Sequence, residues 1–146
     1  MIEGAGLRAF ARDVLRLRDA LDREFPDDAL AELRTAAEQA LVLLATYAAE
    51  YPAQPPNSSY RRTGTLGRLW TTNTPHVTVS GHVLEARISN ATPYGALVQD
   101  PVVQIAPHRG RWQTTEDVVE AHINEVEQLL SEAGGRIVER VVKNAE

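Results

Sequence analysis

The side chains with the widest chemical range lie in the middle third of this sequence. His108-Arg109-Gly110-Arg111-Trp112 sets two guanidinium groups around a glycine and beside an indole, a combination able to hold a phosphate or stack on a base. Arg61-Arg62, just ahead of Thr63-Gly64, is a second cationic pair. The same residues fit an equally simple picture, a charged turn whose tryptophan plugs into the core where a helix begins. Between Tyr60 and Gln113 lie both tryptophans, three of the four histidines and six of the fifteen basic residues, against two acids, Glu85 and Asp100.

Covalent and metal chemistry have little to work with. The chain has no cysteine, which removes a disulfide framework, a thiolate zinc site and a cysteine nucleophile together. His76, His82, His108 and His122 share no local metal-binding spacing, and no His-Glu-x-x-His run occurs. There is no phosphate-cradling glycine loop, and no serine sits in a nucleophile-elbow pattern. The expectation is a protein with no catalytic, cofactor-binding or metal-binding residues.

Charge is distributed unevenly around that middle third. The net charge is -5, but residues 1–58 carry six bases and ten acids, residues 59–113 six and two, and residues 114–146 three and eight. One basic zone between acidic flanks suits association between copies or with a partner, and suits general nucleic-acid binding poorly. Flanking helices with solvated acidic faces would give the same distribution. No run approaches the roughly 18 apolar residues of a membrane span, and the start lacks a charged stretch followed by an apolar block, so a soluble intracellular protein is expected.

The elements that must position these residues follow from periodicity. At 146 residues with 43% apolar content, a single domain with a Leu, Val and Ala core is expected. Leu7, Phe10, Val14, Leu17, Leu21 and Phe25 recur at steps of three and four, predicting a helix over about 4–24. Pro26-Asp27-Asp28 breaks and restarts the chain, and the stripe Leu30, Leu33, Ala37, Ala40, Leu41, Leu44, Ala48 predicts a second helix to about Tyr51. The two would form an antiparallel hairpin or one kinked rod, and the alanine-rich face from Ala36 to Ala49 would allow close helix approach within or between subunits. A proline-rich arm over 52–65 follows, expected to be exposed and, in an assembly, able to reach a neighbour.

From Leu66 to Ala106 strands are expected: 66–72, a hairpin of Val77-Thr78-Val79 and 84–89 around Ser80-Gly81, and a last strand at 102–105, with a short helical turn at 94–99. Thr114 and Asp117 have capping-box spacing, and Val119, Ile123, Val126, Leu130, Ala133, Ile137 and Val141 predict one C-terminal helix over 114–144, weakened or kinked at Gly134-Gly135. The fold class expected is α+β, a small antiparallel β-sheet packed by N-terminal helices and a long C-terminal helix.

The central block, Arg61-Arg62-Thr63-Gly64-Thr65-Leu66-Gly67-Arg68-Leu69-Trp70-Thr71, then a hairpin, then Ser89-Asn90-Ala91-Thr92-Pro93-Tyr94-Gly95-Ala96-Leu97-Val98-Gln99, resembles the tailed-bacteriophage family of tail-completion, or head-tail joining, proteins, often labelled minor tail proteins. In that family an arginine-threonine-glycine-x-leucine motif begins the sheet, and a tyrosine-alanine-x-x-valine-glutamate-phenylalanine-glycine-like segment follows the hairpin. Thr63, Gly64 and Leu66 match the first, and Tyr94, Gly95 or Ala96, and Val98 match the second. Gln99-Asp100 departs from the glutamate-aromatic-glycine ending, and His108 to Trp112 is reminiscent of one branch of the group. The likeness spans about 50 residues plus the order of the flanking helices.

The resemblance implies a non-enzymatic structural protein of the virion neck, made in the bacterial host cytoplasm. It would form a homo-oligomeric ring of six between the portal or connector proteins and the tail tube or tail terminator protein, with DNA passing through unread and no membrane contact. Arg61, Arg62, Thr63, Gly64, Leu66, Trp70, Tyr94, Arg109, Arg111 and Trp112 would then shape the sheet core or subunit interfaces. The alternative is a small cytoplasmic adaptor or regulatory module that holds an anionic ligand on a basic patch of Arg61, Arg62, Arg109 and Arg111.

Overall fold

A computed structural model describes residues 27–59, 61–80 and 83–144. The helix expected over 4–24, and its pairing with the next one, lie outside the described residues. The described elements run α1 (Asp27–Ala48), α2 (Thr65–Thr72), β1 (His76–Ser80), β2 (Val83–Arg87), α3 (Gly95–Gln99) and α4 (Thr115–Asn144). This is an α+β fold with one two-stranded antiparallel sheet. No described helix is long and apolar enough to cross a membrane.

Helix α1 is built from strong helix formers and ends at Ala48, three residues earlier than the stripe suggests. Its last turn closes through Ala49 N–H to Ala45 O (3.0 Å) and Glu50 N–H to Tyr47 O (3.1 Å), with Pro52 just beyond. The alanines expected to permit close approach do so within the chain: Ala36, Ala37, Ala40, Ala45 and Ala48 are buried. Helix α4 supplies the partner surface with Val118, Ala133 and Ile137.

The two helices are antiparallel, as their side-chain contacts at both ends require. Arg140 pairs with Asp28 (2.6 Å) and Glu32, and Arg136 also with Glu32, at one end. Tyr47 stacks on His122 with ring centroids 3.4 Å apart at the other. Helix α4 starts on the anticipated capping box, in which Thr114 N–H donates to Asp117 Oδ2 (2.8 Å) and Asp117 N–H to Thr114 Oγ1 (3.1 Å). It then runs unbroken through Gly134-Gly135. Thr114→Ala is expected to cost about 1 kcal/mol, read as a lower urea midpoint with unchanged slope.

Acid is expected to loosen this helix pair. Asp28 is held below the usual carboxylate range chiefly by the hydrogen bond from Arg140. Asp117 is lowered by the Thr114 backbone N–H, and Glu125 chiefly by its hydrogen bond with His122. A carboxylate depressed in the folded state contributes stability that is present above its unfolded pKa and lost as the pH falls through the folded one. Melting temperature should therefore drop as the pH passes below the ordinary carboxylate range. Added salt should blunt the Asp28 and Arg140 part of the effect, because both side chains are largely solvated.

The hairpin forms as the alternation predicts, with Val77 opposite Ala86 and Val79 opposite Leu84. These four are half-buried while Thr78 and Glu85 point to solvent, so one face of the ribbon lies towards α1. An open apolar cleft of about 650 Å³ lies between hairpin, α1 and the start of α4, lined by Leu44, Trp70, Ile88 and Val118 among others.

Two expected strands are not strands. Residues 65–72 are helical, because Leu66, Leu69 and Trp70 recur at helical spacing and put Leu66 and Trp70 into the core. Gly64 precedes the helix in the left-handed region (φ 73°) and its carbonyl accepts the first helical bond, from Arg68 N–H at 3.0 Å. Residues 102–105 are turn and irregular chain despite the β-branched run. Asp100 Oδ1 accepts from Val102 N–H (2.8 Å) and Val103 N–H (3.0 Å), and Ile105 N–H donates to Leu97 O (3.0 Å), which curls the chain back on α3. The sheet is thus confined to residues 76–87 within the stretch 66–106.

Candidate functional site

A cleft of about 250 Å³ opens under the proline-rich arm, and seven of the ten residues singled out in the sequence line it: Arg62, Thr63, Gly64, Leu66, Tyr94, Arg111 and Trp112. The arm itself contributes Gln54, Pro55 and Ser58, so it folds back on its own chain while keeping residues 53–59 exposed. Arg61 is exposed and Trp70 lines the larger cleft behind α2. Arg109 turns its Nε to Gln104 O at 2.9 Å. Of the four arginines, Arg62 and Arg111 line this cleft.

Arg62 is the cation at the centre, and its charge is already engaged. Its guanidinium carbon lies 5.5 Å from the Tyr51 ring centroid and 5.4 Å from that of Trp112, and Nη1 donates to Pro52 O. The two rings meet edge to face at 5.0 Å, and His108 lies edge-on to Trp112 at 6.1 Å. Trp112 thus packs against the core just before α4, as the charged-turn picture has it. Tyr51 carries a second duty, since its hydroxyl accepts from Gly67 N–H at 2.9 Å. This ties the end of α1, the arm and α2 into one unit.

The two blocks of the resemblance are joined by amide side chains, Asn90 half-buried and Gln99 buried. Asn90 Nδ2 donates to Leu66 O (2.8 Å), while Asn90 Oδ1 accepts from Thr92 N–H (3.0 Å). Gln99, 3% exposed, accepts from Trp70 Nε1 (2.7 Å) and donates through Nε2 to Ala48 O (2.7 Å). Gln104 donates to Val98 O (2.6 Å) and Trp112 O (3.1 Å). Each amide donates to backbone in the fold's irregular stretches or at a helix end or face, the arrangement expected when irregular chain is brought inside. Among the described residues no buried side-chain nitrogen or oxygen lacks a partner.

Chemically, this arrangement fixes backbone. Among the described residues no three histidines or acids gather as a metal site would need. A polar cluster elsewhere joins His122 Nδ1 to Glu125 Oε1 (2.7 Å) and Tyr47 Oη to Glu125 Oε2 (3.3 Å). Glu125 raises the Tyr47 phenol above its usual value by its charge, and the cluster sits on the exposed seam of α1 and α4.

Tyr51, Asn90 and Gln104 carry no motif signal, and Gln99 stands out in the sequence only as a departure from the family's glutamate. Polar residues whose partners are backbone atoms far along the chain leave no local spacing to read. No family model matches the chain, and no curated protein and no solved structure matches it.

Proposed function

We propose that this protein is a structural subunit of a tailed-phage neck, forming a ring of six that joins the portal or connector complex to the tail tube and lets DNA pass. The observation that carries the reading is the use to which the resembling residues are put. Thr63-Gly64 starts α2, Leu66 and Trp70 fill the core, and Asn90 and Gln99 bind the second block to the first. They hold a shape, as a joint component requires, and Gln99 fills the glutamate position as a neutral group able to donate and accept at once. An anionic-ligand module fits less well, because Arg62, the cation at the centre of the cleft, already faces two rings and donates to a carbonyl.

Deleting the gene from the phage or prophage that carries it tests the reading. Filled heads and separate tails, joined again when the protein is supplied in trans, are expected. Intact infectious particles without the protein would refute it.

A further inference from the structure

Two of the exposed apolar surfaces on the described chain carry opposite charged borders. The first is formed by α3 and the turn after it, where Leu97, Val102, Val103 and Ile105 are 43%, 82%, 48% and 40% exposed. Their outward direction is built in: the Asp100 carboxylate, the Ile105 to Leu97 backbone bond and the buried Gln104 amide fix the turn from inside. From Ala91 to Pro107 the only charged residue is Asp100, and the chain then leads directly to the exposed Arg109 and Arg111.

The second is a stripe on α4, where Val119, Ile123 and Leu130 are 41%, 40% and 40% exposed. Steps of four and seven keep them on one helical face, and Glu116, Glu120 and Glu127, each three residues before a member of the stripe, border it and are exposed. Gly134 continues that face one turn on, and a Cβ built there meets nothing within 4 Å, which leaves room for an inserted side chain.

We infer that the apolar turn 97–105 of one copy, with its arginine border, docks on the acid-bordered Val119–Ile123–Leu130 stripe of the next copy. Apolar surface supplies the attraction, and the opposed borders fix orientation and suppress like-with-like pairing. Because the two patches differ, the contact is heterologous: each subunit keeps one free patch of each kind until the chain of copies closes into a ring. The inference rests on reading the protein as a ring subunit and names the surfaces that would make the ring.

Two variants and their mixture test it by analytical ultracentrifugation, with far-UV circular dichroism to show that both fold. One variant blocks the turn (Val102→Asp with Val103→Asp), and the other blocks the stripe (Ile123→Asp with Leu130→Asp). The unaltered protein should self-associate to a closed oligomer as its concentration rises, and each variant alone should stay monomeric. Their equimolar mixture should form a dimer and nothing larger, since only one complementary pair of patches survives.

An unaltered protein monomeric up to its solubility limit, a variant that assembles normally, or a mixture that stays monomeric would overturn the proposal. Should a blocked variant misfold, the charge-reversed pair Arg111→Glu and Glu120→Arg replaces it, with loss of assembly by each alone and recovery of the closed oligomer on mixing as the expected result, because both turn-to-stripe contacts are then complementary between the two variants. Normal assembly of the variants would sink this interface and leave the neck reading standing. Intact phage particles made without the protein would do the reverse.

Discussion

Replacing Gln99 by glutamate should destabilise the fold by about 3 kcal/mol at neutral pH, and by progressively less as the solution is acidified. Gln99 is 3% exposed and both ends of its amide are in use, the oxygen by Trp70 Nε1 and the nitrogen by Ala48 O. A carboxylate can still accept from the indole, but it cannot donate to Ala48 O and would set a buried charge against a carbonyl. Both effects push the folded-state pKa of the new carboxyl above its unfolded value of about 4.3. A neutral carboxylic acid can donate and accept, so the variant should approach the parent below that unfolded value. It should lose ground as the pH rises towards the folded pKa. Urea titrations of both proteins across this pH range, compared as differences, provide the measurement. A difference that does not change with pH would mean that the amide's donor role has been misassigned. Gln99→Ala should also be destabilising, by leaving Trp70 Nε1 and Ala48 O unpaired, but with no such pH dependence.

Gln99 also shows where the sequence stops being legible. The parts set by local rules could be read directly: the alternation of Val77, Val79, Leu84 and Ala86 marks the hairpin, and Thr114 with Asp117 marks the start of α4. Residues 66–72 suggest a strand through their threonines and tryptophan. The i, i+3, i+4 spacing of Leu66, Leu69 and Trp70, together with Gly64 ahead of them, decides for a helix once there is a core to face. Val102-Val103-Gln104-Ile105 has strong β propensity yet forms a turn and irregular chain, because the Gln104 amide finds two carbonyls inside and no neighbouring strand is offered among the described residues.

The candidate site was legible to a similar degree. Thr63, Gly64, Leu66, Tyr94, Arg111 and Trp112 meet around Arg62 in one cleft, and two of the arginines, Arg62 and Arg109, donate to backbone carbonyls that no spacing in the sequence marks. Which carbonyls would need a side-chain donor depends on where irregular segments cross, a tertiary fact with no local signature.

The same reasoning gives one substitution opposite signs at two helical glycines. At Gly135 in α4, alanine should stabilise the protein by about 0.5–1 kcal/mol, because a helical glycine forfeits more backbone entropy and a new Cβ meets nothing within 4 Å. At Gly67 in α2 the propensity gain is the same, but the Cβ would lie 2.8 Å from Ala49 O and 2.9 Å from Tyr51 Cε2. Neither neighbour can easily give way. Ala49 follows the last turn of α1, and the Tyr51 ring is held by the Gly67 N–H, the Arg62 guanidinium and the edge of Trp112. Relieving the clash must push α2 off the end of α1, stretching the bond from Gly67 N–H to Tyr51 Oη and loosening the ring pair around Arg62. Overpacking of this kind costs about 1–3 kcal/mol, enough to outweigh the helical gain. Gly67→Ala should therefore lower the melting temperature while Gly135→Ala raises it. It should also shift the near-UV circular dichroism of Trp112 and Tyr51, which Gly135→Ala leaves alone. Equal stabilisation by both would show that α2 and α1 are free to separate, and would remove the rigid unit on which the reading of a joint component stands.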